Sequence, residues 1–92
     1  METKKRGKLE IIRDILEVIR DNRNYIKTTP LMRKSNLSSA RFKEYYGEML
    51  KKELVLEKIE KNGERFVILG EKGFNFLEKY KAIIGFIDEF EL

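Results

Sequence analysis

TTPLMRKSNLSSARFKEYYGEMLKKELVLEKIEKNGERFVILGEKG, residues 28–73, decides the fold. Thr29 is placed to cap a short helix with Pro30 at its first position, where a missing N–H costs nothing. That helix ends near Ser35, and Leu31 and Met32 are its core contacts. Leu37 anchors a corner, and Ser38 caps a third helix that runs to about Lys52. On that helix Phe42, Tyr46, Met49 and Leu50 share the inward side. Ala40, Glu44, Gly47 and Lys51 share the outward side, flanked by Arg41, Lys43 and Glu48. Two apolar runs, from Leu54 to Lys61 and from Arg65 to Leu69, then meet at Asn62-Gly63, a strong hairpin signal. A two-residue turn there sets Ile59 opposite Phe66 and Glu60 opposite Arg65. It gives Leu56, Val67 and Leu69 the core face and leaves Ile59, Phe66 and Ile68 as an apolar outer face. Either the last helix or a partner chain would cover that face. Gly70-Glu71-Lys72-Gly73 starts the final helix.

Outward from this stretch the chain is helical at both ends. Leu9, Ile12, Leu16 and Ile19 recur at helical spacing, with Ile11, Ile15 and Val18 widening the stripe, so a helix is expected over about 7–22. Asn22-Arg23-Asn24 ends it, and Tyr25-Ile26 suits a short strand beside the hairpin. From Glu71 the helical pattern runs almost to Leu92. Gly73, Leu77, Tyr80, Ile84 and Ile87 form one seam, with Phe76, Ile83 and Phe90 beside it and Phe74 and Phe86 off it. An apolar surface that broad exceeds what one small domain covers.

Ninety-two residues make one domain, and a chain of that size buries only about 60–65% of its unfolded surface. There is no Cys and no His, which removes disulfides, thiolate nucleophiles, zinc fingers and the commonest general base. The carboxylates are scattered among Lys and Arg as on a solvated helix face, so the expectation is no enzyme, no metal and no cofactor. No apolar run approaches the ~20 residues of a membrane span, and residues 1–8 lack the apolar stretch of a signal peptide. A cytoplasmic, nucleoid-associated location is expected.

The net charge of +4 is unevenly spread. Residues 1–8 carry +3 and residues 23–53 carry +5, whereas residues 9–22 and 70–92 each carry −2 and residues 54–69 are neutral. Positive charge therefore gathers on the N-terminal arm and on the helix-turn-helix, while both flanking helices are acidic. That asymmetry suits a polyanion on one side and a protein on the other. A helix-turn-helix followed directly by a two-stranded wing is itself a DNA-reading shape. The expected class is α+β, mostly α: a winged helix-turn-helix over 9–73, a basic arm over 1–8 and a C-terminal helix over 74–92.

Arg6-Gly7 before the Ile-rich first helix, Asn36-Leu37-Ser38, the run from Phe42 to Leu56, and Val67 to Gly73 ahead of an aromatic-rich helix carry a resemblance. The chain resembles the small archaeal winged-helix DNA-binding proteins that dimerise through a long C-terminal helix. Their ten-kilodalton chromatin-associated members and similar viral regulators are the nearest type. The likeness spans about residues 6–90, nearly the whole chain. It departs at Glu53, where the family usually has Gly as a helix C-cap, and at Gly70, where Thr is usual.

The resemblance implies double-stranded DNA as partner, bound by a homodimer with antiparallel, coiled-coil-like pairing of the final helices. The family includes sequence-influenced regulators and sequence-tolerant architectural proteins, and a protein-binding winged helix is a third possibility. In such a domain Ser39, Arg41, Lys43 and Glu44 would face the major groove, with Arg41 able to pair bidentately with guanine. Glu44 would accept from a cytosine amine or simply pair with Lys43 or Lys51. Thr28 and Thr29 would hold phosphate at a helix N-terminus, capping being the alternative for Thr29. Lys61, Asn62 and Arg65 belong to the wing tip, unless Glu60 occupies Arg65. Lys4, Lys5 and Arg6 would lie along phosphates or act only as a solubilising tail. Leu77, Tyr80, Ile83, Ile84, Ile87 and Phe90 are assigned to the dimer seam. They can also cover the first helix, so that the final helix begins on its own domain and ends on its partner.

Overall fold

The computed structural model of the protein describes residues 6–92. Four helices and one hairpin follow in the order α1 (Lys8–Asp21), α2 (Thr28–Ser35), α3 (Ser39–Lys51), β1 (Val55–Ile59), β2 (Arg65–Leu69) and α4 (Glu71–Glu89). This is a mostly helical winged helix with a long C-terminal helix. The core is built around α1, whose Ile11, Ile12, Ile15, Leu16 and Ile19 are all buried and which touches α2, β2 and α4. Leu9, expected in the same stripe, is exposed.

Asn22, Arg23 and Asn24 stop α1 through two consecutive left-handed residues, Arg23 and Asn24. The Asn24 side chain then accepts from the Leu69 N–H at 2.6 Å, tying the turn to β2. Ile26 exchanges two backbone hydrogen bonds with Val67, at 3.2 and 2.7 Å, so the expected third strand is a single bridge. The second helix begins earlier than its sequence suggests. Lys27 is its N-cap, Thr28 is already helical, and Pro30 stands at the third position, still within the stretch whose N–H groups have no helical acceptor. Ser38 does cap α3, accepting from the Arg41 N–H at 3.2 Å.

The hairpin register differs from the two-residue reading. Val55 pairs with Leu69, Glu57 with Val67, and Ile59 with Arg65. Glu60 and Glu64 close the loop, with Glu60 N–H donating to Glu64 carbonyl at 2.8 Å and Gly63 N–H to Glu60 carbonyl at 2.9 Å. A type I′ turn needs positive φ at both Asn62 and Gly63, but only Gly63 has it, at 88°. The loop thus holds three residues, Lys61 to Gly63, and Asn62 stabilises it by accepting from the Glu64 N–H at 3.0 Å. One extra loop residue slips the register by one and exchanges the faces of β1. Val55 takes the core position with Val67 and Leu69, and Leu56 joins Phe66 and Ile68 on the outer face. Tyr25 stacks on Phe66 of that face, ring centroids 4.1 Å apart, while Leu56 stays exposed.

Gly73 sets how closely α4 meets the rest of the domain. A side chain at Gly73 would run into the Leu54 carbonyl, so only glycine lets the helix approach the start of β1 this closely. Glu53 ends α3 in the left-handed conformation, φ 62°. Its N–H donates to Leu50 carbonyl at 3.1 Å and the Leu54 N–H to Met49 carbonyl at 2.9 Å, the two bonds of a Schellman cap. The cap forms without glycine, at the steric cost of a Cβ in that region. Gly70 supplies no side-chain cap to α4.

Candidate nucleic-acid interface

The first turns of α2 and α3 meet at an open cleft of about 300 Å³ lined by Thr28, Thr29, Met32, Ser39, Phe42, Lys43 and Tyr46. Four of the expected DNA-facing residues thereby converge from two helices. Phe42 and Tyr46 stack with centroids 5.3 Å apart and form the floor. Tyr46 is held by its hydroxyl, which donates to Glu57 Oε2 at 2.7 Å. Burial, and then that bond to a carboxylate, push the phenol well above its ordinary range. The inward side of α3 serves more than the core. Phe42 is indeed buried, but its edge and the half-buried Met32 and Tyr46 also form an apolar surface beside the cations.

The other flank of α3 is polar. Arg41, Glu44, Tyr45 and Glu48 surround a second open cleft with Lys8 of α1. Lys8 and Lys52 both bind Glu48 Oε2, at 3.0 and 2.8 Å, and these bonds hold its carboxyl below the usual range. Arg41 lies over the Tyr45 ring, 5.8 Å from its centroid, with its guanidinium facing solvent. Glu44 is exposed and pairs with neither Lys43 nor Lys51. At Gly47 the outer face of α3 is bare backbone.

Charge pairing separates two surfaces. On α1, Arg13 and Arg20 are bound by Asp14, Glu17 and Asp21. On α2 and α3, among the described residues, Arg33, Lys34, Arg41, Lys43 and Lys51 have no ion pair. Arg33 and Lys34, outside the expected set, are exposed on α2 but line neither cleft.

The remaining candidates are spread out. Lys4 and Lys5 lie outside the described residues. Arg6 is held against the domain. It donates to Asp14 Oδ2 at 2.9 Å and to the carbonyls of Ser35 and Asn36 at 3.2 and 3.1 Å, where the end of α2 offers free acceptors. At the wing, Lys61 is exposed, and Asn62 is engaged in its own turn. Arg65 faces Glu57, 3.9 Å away, rather than Glu60, as the shifted register requires. Lys27, absent from the expected set, binds Glu64 and lies 5.7 Å from the centroid of the Phe66 ring.

On α4, Leu77 is taken up by its own domain core, because α1 reaches this far along the helix. Tyr80 is half-buried beneath the Arg13 guanidinium, 4.9 Å from the ring centroid. Beyond it Ile83, Ile84, Phe86 and Phe90 are exposed, Ile83 by 57%, and Ile87 is half-buried. Among the described residues no helix is long and apolar enough to cross a membrane, and no acidic cluster has the arrangement of a metal site.

The model of a protein family described as winged helix-turn-helix matches residues 5–87. No curated protein matches the sequence. Among solved structures the chain is similar to Sso10a-2, a DNA-binding protein from Sulfolobus solfataricus, with 20% identity and a TM-score of 0.72. That match covers 94% of this chain and 86% of the other. It is also similar to SSV1 F-93, with 27% identity, a TM-score of 0.68, and coverage of 97% and 99% respectively.

Proposed function

The chain belongs to the winged helix-turn-helix family, and we propose that it binds double-stranded DNA as a homodimer, acting as a transcription regulator. The observation that carries this reading is the unpaired cationic surface of α2 and α3, beside α1 on which the arginines are neutralised by their neighbours. Solvated cations without internal partners are what a phosphate backbone neutralises on binding. Arg41 and Lys43 lie on the first turns of α3, the part of a recognition helix that reaches base edges. Thr28 and Thr29 add the N–H groups of the α2 terminus. The name of Sso10a-2 agrees with this function, while the likeness itself supports the fold.

The dimer rests on α4. Its last turns expose Ile83, Ile84, Phe86 and Phe90, so that more than one side of the helix is apolar. The only charges after residue 81 are Asp88, Glu89 and Glu91, with no base in the last turn. Acidic groups at a helix C-terminus oppose its dipole. Lys79 and Lys81 lie earlier on the same helix and have no ion pair among the described residues. Antiparallel pairing sets each acidic end beside the lysines of the other copy and covers both apolar faces.

Duplex binding measured by fluorescence anisotropy tests this. Affinity should fall steeply between about 50 and 200 mM salt, and Arg41→Ala should weaken binding by ~1–3 kcal/mol. Salt-independent binding, or none on random duplex at low salt, rejects the reading in favour of a protein-binding module.

A further inference from the structure

We infer that the cleft between α2 and α3 receives the 5-methyl group of a thymine, making Met32, Phe42 and Tyr46 specificity determinants rather than core residues alone. The inference rests on the proposed docking of α3 in the major groove. The cleft opens beside the first turns of both helices, and its floor is two stacked rings and a thioether. Its rim is polar: Thr28 and Thr29 on one side, Ser39 and Lys43 on the other. The major groove offers donors, acceptors and one apolar group, the thymine methyl. An apolar floor facing that groove therefore has one complement in unmodified DNA. The charged rim fits the rest of the same nucleotide. The unpaired Lys43 can reach the thymine O4 acceptor or the neighbouring phosphate, and the α2 terminus suits a phosphate.

The geometry also makes the floor rigid enough to discriminate. Tyr46 is fixed at both ends, by Phe42 against its ring and by Glu57 at its hydroxyl. Phe42 is anchored in the core. Met32 is half-buried against the core, and its unbranched thioether adapts well to a methyl group.

Replacing thymine by deoxyuridine removes the methyl group and leaves every hydrogen-bonding atom in place. A preferred duplex is first selected from a random pool, and each thymine in one half-site is then replaced in turn. One position should weaken binding by about fourfold, the loss of one buried methyl, and the others by less than about twofold. Met32→Ala, which opens the floor, should bind the two duplexes equally. The inference is overturned if no position responds, if selection enriches no thymine, or if discrimination survives in Met32→Ala. In each of these outcomes salt-dependent duplex binding persists and the proposed function stands. Wild-type protein that binds no duplex rejects both readings.

Discussion

The apolar faces of α1 and of the far half of α4 look alike as patterns but end in opposite surroundings. On α1, Ile11, Ile12, Ile15, Leu16 and Ile19 are at most 5% exposed, because α2, β2 and α4 close over the helix. On α4 the stripe continues past Leu77 with the same period, yet Ile83, Phe86 and Phe90 are 56–57% exposed. Periodicity reports that a helix has an apolar face, and says nothing about which molecule covers it. The broad first face lies inside one domain, whereas the second extends beyond it and is exposed.

Substitutions separate the two regions by how their effects depend on protein concentration. Ile15→Ala, at the centre of the covered face, should destabilise the fold by about 2–4 kcal/mol, seen in urea titration at any concentration. A loss under about 1 kcal/mol would mean that α1 is not the core. Ile83→Lys with Phe86→Lys should leave the circular dichroism of the domain intact and convert a dimer to a monomer in sedimentation. The two removed side chains are worth about 1.5–3 kcal/mol each when fully buried. An unchanged mass would detach α4 from dimerisation.

Smaller effects belong to the covered half and sharpen the contrast. Glu53→Gly removes a Cβ from the left-handed cap of α3 and should stabilise by about 1 kcal/mol, equally at low and high concentration. A loss would mean that the ion pair from Lys72 to Glu53, at 3.5 Å, outweighs the steric relief. Tyr46 sets an alkaline limit. Its folded pKa is raised, so the neutral phenol contributes stability that is complete below the unfolded value near 10. That contribution is lost as pH climbs from there toward the folded value, because the unfolded chain loses its proton first. Tyr46→Phe should flatten the stability profile above pH 10, and an identical slope in both proteins would remove Tyr46 as the cause.

Much of the architecture was legible because the signals were local. Ser38 caps α3 and Gly73 opens the way for α4, and the order of elements follows the turn residues between them. The hairpin loop is one residue longer than Asn62-Gly63 alone suggests. Asn62-Gly63 is compatible with either a two- or a three-residue loop, and only the closing bonds of Glu60 and Glu64 distinguish them. The candidate site divides the same way. The outward placement of Arg41, Lys43 and Glu44 was readable from helical period. The tethering of Arg6 to Asp14 and to the end of α2 was not, since its partners lie up to 30 residues away. The cleft floor was hidden because Phe42 serves the core and the surface at once.

Local chemistry in the sequence determined where α3 and α4 begin, which residues turn the chain, and that positive charge would gather on the helix-turn-helix. Caps, period and charge act over a few residues and need no knowledge of distant neighbours. Tertiary packing alone decided the face of β1, the fate of Arg6 and the point along α4 where the domain stops covering it. Those outcomes depend on which surfaces meet, and burial is a property of contacts between segments far apart in the chain.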